Sequence, residues 1–373
     1  MIKPTIAFHS ILSSFVTQRP LDSAVFSGFS DSDWAEFYKI SRKQGVVAVV
    51  LEQLNTVSPK VVPPASLTLR WICDLTSVEE SQRRKMALCR EFGELMASEG
   101  ISTVVLKGVA LAQYYPEPSH REFGDLDCFL VDSASEAPVY ERGNLIAERD
   151  GASVNRDHYK HSHIHWRGLE IENHQFCLGI RGNRKMKQLE RHLREVLEPC
   201  AAIEDTSLLS PSADFNALFF TAHAMTHFLY ESIRMRHILD WAQFLQAKRN
   251  EVNWKEFWRW CDKMHFSRFV KCLNLICDKC LGTDFSAPED ERLWPVAQRI
   301  LSDIYSGESV YSKGGTKWEV RWRLVRNFFR SSWKYRIVCR RSALLSLVSL
   351  GLGMAFDRNP RLSPGSECGL PQV

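Results

Sequence analysis

The chain has 373 residues, a formal net charge of +4, 45% hydrophobic residues and 25% charged residues. That length is enough for a large core and two or three domains, and the composition is that of an ordinary globular protein, which excludes disorder on a large scale. Eleven cysteines, an odd number without framework spacing, and an N-terminal stretch lacking a signal-peptide core point to a reducing cytoplasm rather than a disulfide scaffold.

Residues 1–99 read as a helical region. Asp31 or Ser32 is placed to cap a helix through Trp34, Phe37 and Ile40. Beyond the prolines at 59, 63 and 64, a long helical pattern runs over 66–99, with Leu69, Ile72, Leu75, Met86, Leu88, Phe92 and Leu95 as apolar positions, and Gly100 ends it. Residues 100–205 change character. Strands are expected at 101–106 and 126–131, a helix at 135–148, and a strand pair at 161–167 and 169–175 whose intervening Gly168 suits a tight hairpin. A basic helix follows at 184–196. Residues 206–341 return to helix, with segments at 214–230, 236–248, 253–264 and 267–280. The apolar run at 343–356, about 14 residues, falls short of a membrane span. It reads as a buried helix, with peripheral membrane contact helped by Arg340 and Arg341 as the alternative. The tail after Asn359 should be frayed. The expected divisions are thus 1–99, 100–205, 206–341 and 342–373, and the fold class is α+β, with a small mixed sheet flanked by helical regions.

The stretch 104–131 carries the sharpest chemistry. An apolar run enters Lys107-Gly108, and a polar loop with Arg121 and Gly124 leads to Asp125-Leu126-Asp127 at the head of a second apolar run. Strand side chains alternate, so Asp125 and Asp127 share a face with Cα atoms about 6–7 Å apart. Two carboxylates so placed repel unless a cation lies between them, and hard ions such as Mg²⁺ suit such a pair. Glu172 is the natural third ligand and Glu170, on the same face, the alternative. Two Mg²⁺ ions held by three carboxylates and nucleotide phosphates would fit phosphoryl chemistry. Gly108 permits close backbone approach, and the Lys107-Gly108 turn suits a phosphate. Arg121 either binds phosphate or ion-pairs with the carboxylates.

Other groups are weighed against plainer readings. His223 and His227 share a helix face, and a core or substrate-contacting role outweighs a metal one, since HExxH is absent. The histidines at 158, 161, 163 and 165 suit either a transition metal or a half-exposed strand face. Cys272, Cys277 and Cys280 read as buried thiols rather than a zinc site. Residues 313–341 hold ten Lys or Arg against one acid, Glu319, interleaved with aromatics. They suit either contact with nucleic acid or an anionic surface, or an amphipathic helix with a solvated basic face.

Leu106-Lys107-Gly108, Tyr115-Pro116, Arg121, Gly124 and Asp125-Leu126-Asp127 resemble the LKG, YP, R and GDxD motifs of the uncharacterised nucleotidyltransferase family in the DNA polymerase beta-like superfamily. Glu172-Asn173-His174 resembles its ELH strand, with Asn173 at the usually apolar position. His223 through His227, then Arg236 to Asp240, resemble its helical HAxxH and RxxxD segment. The likeness covers roughly residues 35–330. It implies Asp125, Asp127 and Glu172 as catalytic metal ligands and Lys107, Gly108, Arg121, His223, His227, Arg236 and Asp240 around the nucleotide. Val109 replaces the serine of the wider superfamily, and abortive-infection toxin nucleotidyltransferases share that departure. The expected activity is Mg²⁺-dependent transfer of a nucleoside monophosphate from an NTP to an acceptor (small molecule, protein or RNA). The alternatives are a non-catalytic nucleotide-binding or partner-docking protein on the same fold and a toxin-like enzyme acting on RNA.

Overall fold

The structure is a computed structural model that describes residues 2–306 apart from 58–60, 62, 136–137, 181–182 and 231, together with 318–319, 322, 326 and 329–338. Four helices come first: α1 (Lys3–Thr17), α2 (Asp31–Lys43), α3 (Val47–Leu54) and α4 (Ala65–Ser98). The sheet region follows with β1 (Ile101–Val105), α5 (Val109–Ala112), β2 (Leu126–Asp132), α6 (Tyr140–Arg149), β3 (Ser153–Asn155), β4 (His161–Trp166), β5 (Leu169–His174), α7 (Arg184–Glu195), β6 (Ala201–Ala202) and β7 (Leu208–Ser210). The chain continues with α8 (Ala213–Tyr230), α9 (Met235–Lys248), α10 (Trp254–Lys263), α11 (Ser267–Leu281), α12 (Trp294–Ser306) and α13 (Ser332–Val338).

The seven strands form one mixed sheet in the order β3-β4-β5-β2-β1-β7-β6. β1 and β2 run antiparallel, β2 and β5 parallel, and β4 and β5 antiparallel. Arg167 and Gly168, at φ +51° and +86°, make the two-residue turn that joins β4 to β5. Two positive φ values at the centre match the right-handed twist of the strands they connect. The two faces of β2 are buried in different cores. Leu126, Cys128 and Leu130 pack with Phe92 and Met96 of α4, Ile146 of α6, and Ile164 and Ile171 of the neighbouring strands. Phe129 and Val131 face a second core shared with α1, α2, α3, α8, α9 and α11. Alternation along β2 therefore points Asp127 to the side of the helical layer.

The α+β class and the long helix hold as expected, and the two Asp-bearing and Glu-bearing strands lie side by side. Two boundaries differ for local reasons, and the sheet is larger than expected. The cap of α2 is Ser30 rather than Asp31 or Ser32. Asp33 N–H donates to Ser30 Oγ (3.2 Å) and Ser30 N–H donates to Asp33 Oδ2 (3.0 Å), a capping box that needs the acid three residues on. The helix expected from 135 begins at Tyr140, because Asp132 Oδ1 takes the Ala134 and Ser135 amides at 3.1 and 3.0 Å and bends the chain into a turn. The short strands β3, β6 and β7 extend the sheet beyond the four strands expected. Among the described residues no helix is long and apolar enough to cross a membrane. The expectations for 342–373, and for most of the basic stretch 313–341, lie outside the described residues. Its described end is mixed in character: Tyr335, Ile337 and Val338 of α13 are buried, whereas Trp318, Trp322 and Phe329 are exposed.

Candidate active site

The parallel register of β2 and β5 sets Asp127 directly opposite Glu172, and Asp125 precedes Asp127 by one strand period. Carboxylate oxygens of the three residues lie within 4.8 Å of one another. Asp127 is 1% exposed. Its Oδ1 accepts from Lys107 Nζ at 2.9 Å, whereas its buried Oδ2 has no hydrogen-bond partner. An orphaned carboxylate oxygen in the middle of an acidic cluster is a costly arrangement that a hard cation would relieve. The donor set, all oxygen, fits Mg²⁺. Glu170, the alternative third ligand, is exposed and pairs with His165 at 2.6 Å instead, so the register selects Glu172.

Lys107 reaches the cluster from the turn after β1. Gly108 has φ +60° and ψ −101°, and a Cβ there would stand 3.4 Å from Phe123 Cβ and 3.5 Å from the Asp125 carbonyl oxygen. Only glycine adopts that backbone without strain. Val109, the next residue, is 1% exposed and packs in the core with Phe92 and Leu126. Its side chain serves the sheet packing, which accounts for an apolar residue there.

Electrostatics divide the cluster. Burial, then the charge of Asp127, pushes the Asp125 carboxyl above the usual range. Burial acts the same way on Asp127, but Lys107 and a hydrogen bond from His174 overcome it and hold that carboxyl low. Glu172 is also held low against its burial by His174 and Lys107. Burial would lower Lys107, yet Asp127, Asp125 and Glu172 together raise it.

Sequence reading did not single out Lys160 and passed over the central place of His174. His174 is 1% exposed. Its Nδ1–H donates to the Phe176 carbonyl at 3.1 Å, and its Nε2 lies 3.1 Å from Asp127 Oδ1 and 3.3 Å from Glu172 Oε2. Lys160 precedes β4, and burial followed by the charge of Lys107 lowers its ammonium pKa, with Glu172 opposing. The available signal for His174 was its place two residues after Glu172 on the same strand face. Lys160 gave no local signal, because only the β4–β5 pairing brings it to the carboxylates.

The remaining candidates separate into two groups. His223 and His227 on α8 touch through their Nε2 atoms at 2.9 Å. Burial and then the charge of Lys107 hold the His223 ring well below its usual range. Arg121 and Asp240 form a buried pair of their own, with the half-buried Arg236 beside them. Arg121 Nε and Nη2 donate to Asp240 Oδ1 and Oδ2 at 3.1 and 2.8 Å, and Tyr115 Oη donates to Oδ1 at 2.8 Å. Arg236 Nη1 donates to the Glu122 carbonyl at 3.1 Å. Of the two roles open to Arg121, the structure shows an ion pair, with Asp240 rather than with Asp125 or Asp127 as its partner.

A mixed sheet that gathers three carboxylates from neighbouring strands beside two lysines has the layout of an enzyme handling charged phosphate substrates. Residues 30–282 match the family described as uncharacterised nucleotidyltransferase. The chain belongs to that family and is a nucleotidyltransferase. No curated protein and no solved structure matches it.

Proposed function

We propose that this chain transfers a nucleoside monophosphate from an NTP to a hydroxyl-bearing acceptor at the cluster of Asp125, Asp127 and Glu172, with Mg²⁺ as the metal. The observation that carries this reading is the unpartnered, buried Asp127 Oδ2 among three carboxylates whose oxygens lie within 4.8 Å. Asp125, Asp127 and Glu172 would hold the metal, and Mg²⁺ bound there would neutralise charge on the phosphates. The acceptor oxygen bonds to the α-phosphorus, the bond from that phosphorus to the β-bridging oxygen breaks, and pyrophosphate leaves. The acceptor's proton passes to a carboxylate of the same cluster.

Lys107 and Lys160 bring positive charge to the side where a triphosphate would lie. Lys107 is already oriented by Asp127, and Lys160 makes no side-chain hydrogen bond or ion pair among the described residues, which leaves its ammonium available to a phosphate oxygen. His223 and His227 contact the nucleotide in this reading. Arg121, Arg236 and Asp240 act behind them by fixing the loop that leads to Asp125.

The test supplies α-labelled NTPs with Mg²⁺ and cell-extract acceptors to the purified chain, and follows the label by size and nuclease sensitivity. Label should pass to one class of acceptor, and Asp125→Asn should reduce transfer by about 10²–10³-fold, the loss usual for removal of a preorganised electrostatic group. Absence of both Mg²⁺–NTP binding and labelled product would overturn the proposal. Nuclease-sensitive product whose formation falls steeply with salt would identify RNA as the acceptor.

A further inference from the structure

His161 and His174 face each other across the antiparallel β4–β5 pair, and Glu172 lies diagonally between them. One nitrogen of each ring and a Glu172 oxygen come within 4.8 Å of one another. His161 is 8% exposed, and its buried Nδ1 has no hydrogen-bond partner while standing 3.5 Å from Glu172 Oε2. The outer nitrogen of each ring is already engaged. His174 Nδ1–H donates to the Phe176 carbonyl at 3.1 Å, and His161 Nε2 lies 3.2 Å from His163 Nε2. His161 Nδ1 faces Glu172 with no hydrogen of its own to give, and His174 Nε2 faces Asp127 Oδ1 at 3.1 Å and Glu172 Oε2 at 3.3 Å, so an ion seated here would take the place of the proton that His174 Nε2 shares with those carboxylates. Three possible ligand atoms thus converge, and one of them, the buried His161 Nδ1, has no hydrogen-bond partner.

We infer that His161, His174 and Glu172 form a second cation site, of the class that takes a divalent transition ion such as Zn²⁺ rather than Mg²⁺. Two imidazoles and one carboxylate are a donor set for borderline ions, whereas the oxygen-only cluster beside it suits hard ones. The engaged outer nitrogens provide what metal-binding histidines need: a fixed tautomer and a fixed ring plane. Glu172 belongs to both clusters, so the ion orients the carboxylate that the two sites share. The inference stands apart from the transfer reaction proposed above, because its readout is metal binding and not turnover.

The experiment strips the full-length chain of metal and titrates it with Co²⁺ in excess Mg²⁺, reading the visible absorption of the bound ion and its displacement by Zn²⁺. One Co²⁺ per chain is expected. His161→Asn and His174→Asn should each weaken it by more than about tenfold. His163→Ala, a change at an exposed position that leaves the core untouched, should weaken it by about tenfold through the lost orienting contact. Asp125→Asn should leave Co²⁺ binding within about twofold, even where it abolishes Mg²⁺–NTP binding. The inference is overturned if no Co²⁺ binds in excess Mg²⁺, if Asp125→Asn removes the site, or if His161→Asn and His163→Ala both bind as tightly as the unaltered chain.

Discussion

Arg121 and Asp240 are 119 residues apart in the chain and meet as a bidentate pair with both side chains less than a tenth exposed. Such a pair contributes little relative to an apolar substitute, but breaking it leaves a buried charge alone. Arg121→Ala should therefore destabilise the chain by about 3–5 kcal/mol. Arg121→Lys should recover only part of that, since an ammonium cannot reproduce two parallel N–H donors. Denaturant unfolding checks both, and an unchanged midpoint with weakened nucleotide affinity would return Arg121 to a phosphate-binding role. At this scale the acidic residues were legible in the sequence because strand alternation fixes which side chains share a face. Lys160, the partner of Arg121 and the grouping of His161 with His174 and Glu172 were not, because each depends on a pairing or a helix docking from far along the chain.

The loop between α5 and β2 has little secondary structure of its own and is held by its neighbours. Gln82 on α4 exchanges two hydrogen bonds with the backbone of Phe123, and Lys85 Nζ donates to the Phe123 carbonyl at 2.8 Å. His120 spans two elements, with Nδ1 2.7 Å from Glu52 on α3 and Nε2 3.0 Å from Glu79 on α4. Burial works to lower the His120 pKa, but hydrogen bonds to Glu52 and Glu79, with the nearby charge of Glu117, raise it overall. A histidine whose folded pKa lies above its unfolded value contributes stability that is complete below the unfolded value, near 6.5, and is lost as pH rises through the folded one. The stability gap between the unaltered chain and His120→Asn should therefore be largest below about pH 6.5 and shrink at higher pH. Urea unfolding of both proteins across that range measures it, and a gap independent of pH would mean that His120 stays neutral. The helices around this loop were readable from their 3.6-residue periodicity. The start of α6 was not, because one aspartate side chain competes with helix formation there.

In sequence the helices before and after the sheet look like two separate flanks, yet they interleave into one core. Phe8, Ile11, Leu12 and Phe15 of α1 are at most 1% exposed and pack with Phe244 of α9 and Phe269 of α11. Polar contacts reinforce this. Gln44 accepts from the Met235 amide at 2.8 Å and donates to the Ile304 carbonyl at 3.2 Å, and His9 Nε2 lies 2.6 Å from Tyr305 Oη. Periodicity shows that such helices have a buried face but carries no information about what covers it, so this union was hidden. It also means that the segment matching the family, 30–282, omits α1, which fills part of that core. Phe8→Ala should cost about 3–5 kcal/mol, the range for removing a large buried aromatic. Deleting residues 1–29 should leave α9 and α11 with an exposed apolar face and yield a chain that aggregates or unfolds well below the melting temperature of the whole. Because the helical core meets the sheet through Phe129 and Val131, the loss should reach the carboxylate cluster as well. Thermal unfolding followed by far-ultraviolet and tryptophan signals should then show one coincident transition in the intact chain, shifted down in Phe8→Ala for both signals alike. Two separated transitions, or a 30–373 fragment as stable as the intact chain, would show that the sheet and its acidic site fold without α1.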